Sequence, residues 1–385
     1  MRRAAVLSLV FFRTDINVVM WHRALLLADV IVCTGMLCFA SYTEIDWRAY
    51  MQEVSGFLSG ELSYTKLKGD TGPLVYPAGF VHVFSALYYI TRSGANIVLA
   101  QLIFGAIYLS LTALVLRIYQ LSHVPVAYTA VLVLSRRVHS IFILRLFNDG
   151  VAMLLLYFAV FLMCSRRVRL GSLVFSAAVS IKMNVLLFAP GLLVVWTKTL
   201  SPLRVVENLV ICAMLQIVLA MPFLVYDPVG YFSKAFELDR VFSYRWTVNY
   251  KFLPEDLFAD RRFGAALLVL TASCWTVAYW RRWRHRDYTR ARSVCLTLFE
   301  SNLIGVILSR TMHYQFYSWF FHQLPYVLFF SCSAAPKSVH FVIIALVDYA
   351  FTVYPSSALS GALLMVSLCF TLVAILSSSE STTHR

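Results

Sequence analysis

The chain has 385 residues, of which 60% are hydrophobic and 14% are charged, and its formal net charge is +14. A soluble domain carries about 25% charged residues, so this composition excludes a fold that is stable in water. Many apolar stretches have the length of about 17–25 residues that crosses a bilayer as a helix. Because these stretches show no two-residue alternation, we predict an all-α integral membrane protein with many spans.

The basic excess is best explained by membrane topology. Lysine and arginine accumulate in the cytoplasmic loops of membrane proteins, whereas nucleic-acid binding would need a soluble basic face, which the sequence lacks. The eight cysteines all lie in or beside apolar runs and show no C-x-x-C pair or other metal-ligand spacing. We therefore predict neither a nucleic-acid partner nor a metal site.

The first predicted span covers residues 24–41 and separates basic from acidic sequence. The basic residues before it are Arg2, Arg3, Arg13 and Arg23. The segment after it, residues 42–77, contains Glu44, Asp46, Glu53, Glu61 and Asp70. The positive-inside rule places the N-terminus in the cytoplasm and residues 42–77 in the lumen, as a first lumenal loop.

This first loop carries its own helical pattern. Apolar residues recur at steps of three and four from Trp47 to Leu58, which predicts a short amphipathic helix on the membrane surface. Several glycines and prolines between Gly69 and Gly79 then exclude a continuing helix.

The later polar segments alternate between the two sides of the membrane. Residues 281–293, RRWRHRDYTRARS, are the most basic run and are predicted to be cytoplasmic. Counting spans from this run predicts a second lumenal loop at residues 226–262 and a lumenal position for residues 310–318. Residues 136–149 are also lumenal if the apolar run 124–134 crosses. The count gives about twelve crossings, provided that the apolar run 80–90 is re-entrant.

This topology brings a set of polar and ionisable residues to the lumenal side. They are Glu44, Asp46, Arg145, Asp149, Lys182, Asn184, Arg310, His313, Tyr314 and Gln315. Ionisable groups at membrane depth are costly and are candidates for function, although structural ion pairs between helices or side chains that reach the interface would explain them too. An acidic loop facing several cations suits sugar transfer from a lipid-linked phosphate. A carboxylate accepts the proton of the acceptor hydroxyl, and cations bind the phosphate as it leaves.

Six sequence blocks carry a more specific resemblance. They are TEIDWRAYMQEV, GDTGPLVYPAG, RVHSIFILRLFND, VSIKMNVLLFAPGLL, RWTVNYKFLPE and SNLIGVILSRTMHYQFYSWFFHQLPY. In this order, between about residues 42 and 326, they resemble the dolichyl-phosphate-mannose-dependent alpha-1,3-mannosyltransferases of asparagine-linked glycosylation. The resemblance implies a polytopic enzyme of the endoplasmic reticulum membrane with the C-type glycosyltransferase architecture, about 12 transmembrane helices and a lumenal active site.

The same resemblance implies the reaction and its participants. The donor is dolichyl phosphate mannose, the acceptor is the five-mannose oligosaccharide on pyrophosphate-dolichol, and no cofactor is needed. The first lumenal loop of this architecture bears the acidic catalytic motif, which corresponds here to Glu44–Ile45–Asp46. Because the donor is β-linked and the product α-linked, the reaction inverts and needs one general base. We assign this role to Asp46, with Glu44 as the reserve.

The residues expected to bind substrate come from several separate segments. They are Trp47, Arg145, Asp149, Lys182, Arg310, His313 and Tyr314. The family pattern leaves open which cation meets the donor phosphate: Arg145, Lys182, Arg310 or His313. Two other functions remain as alternatives at this stage. One is another dolichyl-phosphate-sugar-dependent glycosyltransferase, and the other is a lipid or solute transporter, for which inverted repeats would be expected and are not seen.

Overall fold

The computed structural model of the chain describes residues 16–236 and 243–377, and it is mostly helical, at 76%. The basic residues Arg2, Arg3 and Arg13 lie outside the described residues, as does the 237–242 part of the second polar loop. The composition therefore led to the right class, an all-α membrane protein.

The helices differ widely in length. They are α1 (Ile16–Phe39), α2 (Trp47–Leu58), α3 (Ala78–Ile90), α4 (Ile97–Leu121), α5 (Val126–Ala130), α6 (Arg136–His139), α7 (Asp149–Cys164), α8 (Val168–Ile181), α9 (Ala189–Thr199), α10 (Pro202–Tyr226), α11 (Pro228–Ala235), α12 (Glu255–Ala259), α13 (Arg261–Arg281), α14 (Ala291–Ile307), α15 (Leu324–Ser331), α16 (Lys337–Thr352) and α17 (Ala358–Ser377). Within the described residues, five helices are long and apolar enough to cross a membrane, or six if one bent pair counts as a single span. The predicted count of about twelve crossings is thus not established by helix length.

The centre of the molecule is α14. Every residue from Ser293 to Ile307 is buried, because α7, α9, α13, α15 and α17 pack around it. A helix enclosed in this way has no face open to water or lipid. The polar residues that it contains therefore need partners inside the protein.

The basic run at residues 281–293 is less exposed than its composition suggested. Arg282 and Arg286 are buried and form ion pairs with the buried Glu300 of α14, at 3.2 Å and 2.8 Å. The carboxylate also accepts hydrogen bonds from Trp283 Nε1 and Ser331 Oγ, at 2.7 Å and 2.6 Å. Part of the basic excess therefore compensates an internal acid, which a rule for exposed loops does not consider.

A broken helix connects the basic end of the molecule to the acidic first loop. Residues 126–133 and 136–144 form a pair bent by 46°. Just before the pair, Ser122 Oγ accepts a hydrogen bond of 2.7 Å from Tyr326, whose hydroxyl also lies 3.4 Å from the carbonyl of Arg292. At its other end, the carbonyl of Leu144 accepts a hydrogen bond of 2.9 Å from Thr43 N. The pair therefore runs from one end of the helical bundle to the other.

The first loop folds as a small unit on the bundle. Helix α2 forms at the position that the apolar spacing predicted, and it buries Tyr50, Met51 and Val54. The glycine-rich segment after it forms a hairpin of β1 (Lys68–Gly69) and β2 (Gly72–Pro73). The hairpin lies so close to α2 that a Cβ at Gly69 would be 2.6 Å from the backbone of Ala49. Glycine is therefore required at this contact.

Helix α3 contacts the second polar loop at its start and the first loop just after its end. Ala78 N, at its start, donates to the Tyr231 hydroxyl at 3.3 Å, and Gly94 O, just after its end, accepts from Trp47 Nε1 at 3.0 Å. Helix α3 also packs along α2. The re-entrant segment at residues 80–90, which the span count required, stays a prediction.

Candidate active site

Asp46 lies at the N-terminus of α2, where the first loop meets the bundle. It is half-buried, and Tyr50, one turn further along α2, places its hydroxyl 3.4 Å from Asp46 Oδ2. Thr71, at the tip of the hairpin, also hydrogen-bonds to the carboxylate. Burial raises the pKa of Asp46, and the nearby Asp149 adds to the rise, while Lys182, Thr71 and Tyr50 oppose it. The net rise makes Asp46 a stronger base than an exposed aspartate.

A buried ion pair faces this carboxylate from the ends of two other helices. Asp149 begins α7 and Lys182 follows α8, and the Lys182 ammonium lies 2.6 Å from Asp149 Oδ2. The second oxygen of Asp149 accepts a hydrogen bond from Trp319 Nε1. The Asp149 side chain is inaccessible to solvent and that of Lys182 is 8% exposed. Each charge is therefore compensated by the other, as burial requires.

Asn148 joins this ion pair to Asp46. Its Oδ1 atom accepts a hydrogen bond from the Lys182 ammonium at 3.0 Å and lies 3.4 Å from the Tyr50 hydroxyl. Since Tyr50 has a single hydroxyl proton, it can donate either to Asn148 or to Asp46 at any one time. The Nδ2 atom of Asn148 is buried and has no hydrogen-bond partner within the described residues. The site thus contains one amide donor that remains available to a ligand.

Aromatic rings enclose the lysine. Its ammonium lies 5.6 Å from the ring centre of Tyr76 and 5.7 Å from that of Trp319, within the range of cation–π attraction. Phe316 stacks on Trp319 with ring centres 3.7 Å apart, and His313 stacks on Phe316 at 5.2 Å. The predicted site residue His313 is therefore connected to the ion pair through stacked rings and makes no direct contact with Lys182 that the structure records.

Glu44 and Trp47 lie in environments that differ from that of Asp46. Glu44 is exposed; one of its oxygens accepts a hydrogen bond of 2.5 Å from Tyr42, and the other accepts one of 3.1 Å from Arg48 N in the first turn of α2. Trp47 is only 1% exposed and packs between Phe84 and Phe104. In this arrangement Trp47 has no face open for a sugar, and it holds α2 in place.

The remaining predicted cations and Tyr314 lie away from the ion pair. The Arg310 guanidinium donates to the carbonyls of Phe258 and Ala259, at 3.0 Å and 2.8 Å, and so caps the C-terminus of α12. Arg145 donates to Ser140 Oγ. The hydroxyl of Tyr314 donates to the Val353 carbonyl at 2.7 Å. The structure thus separates the seven residues expected to bind substrate, since only Asp149 and Lys182 contact one another.

Several residues of the site were not among the predicted site residues. They are Tyr50, Thr71, Asn148 and Trp319. Each lies inside one of the sequence blocks quoted above, such as TEIDWRAYMQEV for Tyr50 and RVHSIFILRLFND for Asn148. The blocks therefore contained these residues, but the site prediction selected mainly charged side chains from them.

The arrangement can perform general base chemistry. A carboxylate with a raised pKa stands at the edge of a loop, and a compensated lysine beside it favours its ionised form. Within the described residues, one group of side chains has the composition of a metal site. It consists of Asp29, Cys33 and His139, which belong to α1 and the broken helix and not to the Asp46 site. The Asp46 site itself consists of carboxylates, amide, hydroxyl and lysine, which suit proton transfer and anion binding.

Comparison with known proteins points to one family. The model of the ALG3 protein family matches residues 23–361. The chain is 43% identical over 367 residues to the human protein named Dol-P-Man:Man(5)GlcNAc(2)-PP-Dol alpha-1,3-mannosyltransferase, covering 89% of this chain and 83% of that protein. The protein of the same name from Arabidopsis thaliana is 41% identical over 382 residues, covering 91% and 86%.

A third relative, from another animal, has a name that specifies the same activity. The Drosophila melanogaster protein named Dolichyl-P-Man:Man5GlcNAc2-PP-dolichol alpha-1,3-mannosyltransferase l(2)not2 is 40% identical over 425 residues, covering 88% of this chain and 87% of that protein. In all three cases the similarity extends over most of both chains, and the residues matched by the family model, 23–361, include the first loop, the ion pair and the central helix.

Proposed function

The chain belongs to the ALG3 protein family, and from this premise we infer that it transfers mannose from dolichyl phosphate mannose, in α-1,3 linkage, to the five-mannose oligosaccharide on pyrophosphate-dolichol. The enzyme is a glycosyltransferase and its two substrates are those that the names of its relatives specify. The observation that carries the assignment of the site is Asp46, a carboxylate with a raised pKa on the first loop, facing the Lys182–Asp149 pair.

In the proposed mechanism, Asp46 is the general base. The acceptor hydroxyl gives its proton to Asp46 while its oxygen attacks the anomeric carbon of mannose. The bond between that carbon and the phosphate oxygen breaks, and its electrons remain on dolichyl phosphate. One displacement at carbon inverts the configuration, from a β-linked donor to an α-linked product. Proton removal by a positioned base contributes typically about 10²–10⁴-fold in rate.

Lys182 has an electrostatic role in this scheme. It is held by Asp149 and Asn148, at 2.6 Å and 3.0 Å, and its charge opposes the rise in the pKa of Asp46. Lys182 therefore favours the ionised form of Asp46, while burial makes Asp46 more basic than an exposed carboxylate. Asp149 acts through Lys182, as a positioning residue, because both of its oxygens are already occupied.

We place the active site in the lumen of the endoplasmic reticulum. The supporting observation is polarity: the acidic first loop and Asp46 lie at one end of the bundle, and the basic run with Arg292 lies at the other. Twelve crossings are proposed, namely the five long helices, the broken pair, and six shorter or interrupted helical segments between them. Those six are α7, α8, residues 183–199, α14, residues 314–331 and α16.

The test is enzymatic. The purified protein, given dolichyl phosphate mannose and the five-mannose lipid-linked acceptor, should yield a six-mannose product whose added residue is released by an α-1,3-specific mannosidase. Cells lacking the protein should accumulate the five-mannose species. An unchanged profile of lipid-linked oligosaccharides in those cells would contradict the assignment, and it is the result that a transporter of unrelated lipids or solutes predicts.

A further inference from the structure

Two arginines, one in the broken helix and one just after it, lie near the first loop. Arg137, in α6, and Arg145, just after the broken helix, are near enough to interact electrostatically. Within the described residues, no carboxylate lies at ion-pair distance from either guanidinium. Two like charges in a partly buried position repel one another, so an anion between them would be stabilised.

Arg137 is held rigidly from one side. Its Nε atom donates to the carbonyl of Phe351 at 2.6 Å, and its guanidinium lies 4.8 Å from the ring centre of Tyr314. The Tyr314 hydroxyl is fixed in turn by the Val353 carbonyl at 2.7 Å. These contacts leave the two terminal amino groups of Arg137 without a protein acceptor that the structure records. A guanidinium presented in this way matches the oxygens of a phosphate.

Arg145 places the pair beside the catalytic loop. Leu144, which precedes it, accepts a hydrogen bond of 2.9 Å from Thr43 N, three residues before Asp46. Arg145 uses one nitrogen to contact Ser140 Oγ, so further donors remain for a ligand.

The acid nearest to these arginines is engaged elsewhere. Asp348 interacts with Arg137 only over a longer range. Its Oδ1 atom accepts hydrogen bonds from Ser135 Oγ and the Tyr317 hydroxyl, at 2.6 Å and 3.0 Å. Two of the other candidate cations are also committed: Lys182 is neutralised by Asp149, and Arg310 is bound to backbone carbonyls.

We propose that Arg137 and Arg145 together bind the phosphate of the lipid-linked donor. The proposal rests on the proposed function, and it selects Arg145 from the four candidate cations and adds Arg137, which the sequence did not single out. The donor phosphate is a diester with one negative charge. When the glycosidic bond breaks, the electron pair stays on the phosphate, which becomes a monoester with a second charge, and the acceptor proton goes to Asp46. Two guanidinium groups therefore stabilise the leaving group more than they stabilise the bound donor.

The experiment compares three variants and one control variant in detergent with both substrates. Arg137→Met and Arg145→Met should each lower kcat/KM for the donor by about 10- to 100-fold, the range of a hydrogen bond to a charged group. The KM for the acceptor should stay within twofold, on the order of measurement scatter. Arg137→Lys should recover only part of the activity, because lysine restores the charge without the planar fork. The matched control is Arg136→Met, since Arg136 is the exposed neighbouring residue, and it should behave as the unmodified enzyme.

Product inhibition supplies the second measurement. Dolichyl phosphate is the species with the greater charge, so Arg137→Met should weaken its inhibition by a larger factor than it raises the KM for the donor. A selective rise in the KM for the acceptor would instead assign the pair to the acceptor pyrophosphate and overturn the proposal. Normal donor kinetics and normal inhibition in a folded, monodisperse Arg137→Met protein would also overturn it. If the unmodified enzyme and Arg136→Met fail to transfer mannose, the proposed function itself is wrong.

Discussion

Two buried charge clusters lie at opposite ends of the molecule, and they differ in what they leave open. At the basic end, Glu300 accepts hydrogen bonds on both oxygens, from Arg286, Trp283 and Ser331. At the other end, Lys182 and Asp149 compensate one another, yet the adjoining Asn148 keeps a buried donor that has no partner among the described residues, and Asp46 keeps a raised pKa.

This difference distinguishes a charge cluster that only stabilises the fold from one that can bind a ligand and exchange protons. A buried carboxylate with all its lone pairs occupied fixes helices relative to one another but has nothing to offer a ligand. A carboxylate whose ionisation is finely balanced and whose neighbours retain hydrogen-bonding capacity can bind and exchange protons. The comparison predicts that substitutions at the two ends affect different measured quantities.

The largest effect is expected from Asp46→Asn. The amide keeps the shape of the side chain and cannot accept the proton, so kcat should fall by about 10²–10⁴-fold, while the thermal midpoint in detergent and donor binding stay near those of the unmodified enzyme. Asp70→Asn is the matched control, because Asp70 is an exposed acid of the same loop, paired with Arg48 at 2.6 Å, and such pairs contribute little. Near-normal turnover of Asp46→Asn with both substrates saturating would refute the assignment of the base.

The pH dependence of transfer tests the electrostatic role of Lys182. Burial raises the pKa of Asp46, and a base works only when ionised, so activity should be present above this pKa and be lost as the pH falls through it. The double variant Lys182→Met/Asp149→Asn removes a cation that lowers the pKa of Asp46 and a weaker anion that raises it. The acid limb of the profile should therefore move to higher pH. An unmoved limb would mean that Lys182 does not govern the ionisation of the base.

At the basic end, Glu300→Gln should change stability and leave the chemistry intact. Removing this charge breaks the ion pairs that Glu300 forms with the buried Arg282 and Arg286, and breaking a buried pair in this way destabilises a protein by about 3–5 kcal/mol. The thermal midpoint should fall, whereas the KM values and kcat per folded molecule should not change. A loss of kcat with an unchanged midpoint would show that the cluster belongs to the active site after all.

The smallest effect is expected from Glu44→Gln. The Gln amide oxygen can still accept the hydrogen bond that Arg48 N gives to Glu44, so the first turn of α2 should persist and kcat should fall by less than about tenfold. This variant completes the comparison with Asp46→Asn within one loop. If it lost as much activity as Asp46→Asn does, the reserve assignment of Glu44 as the base would replace that of Asp46.

Some features followed from the sequence alone. Continuous apolar stretches determined the helical membrane class, and the three- and four-residue spacing from Trp47 to Leu58 determined α2, because both patterns are local consequences of helix geometry. The family was also recognisable, because its resemblance lies in blocks of contiguous residues. The role of the acidic motif at Asp46 was inferred from the same kind of signal and stays a prediction.

The partners of these residues were decided only by the tertiary structure. Asp46, Asn148, Lys182 and Trp319 come from four separate elements, and no local rule states which of their atoms meet. Likewise, apolar spacing could not tell that Trp47 is enclosed by Phe84 and Phe104, nor could charge counting tell that Arg282 and Arg286 turn inward to Glu300. Helix formation depends on residues within one or two turns, whereas ion pairing and enclosure depend on which helices become neighbours, and that is settled by packing over the whole bundle.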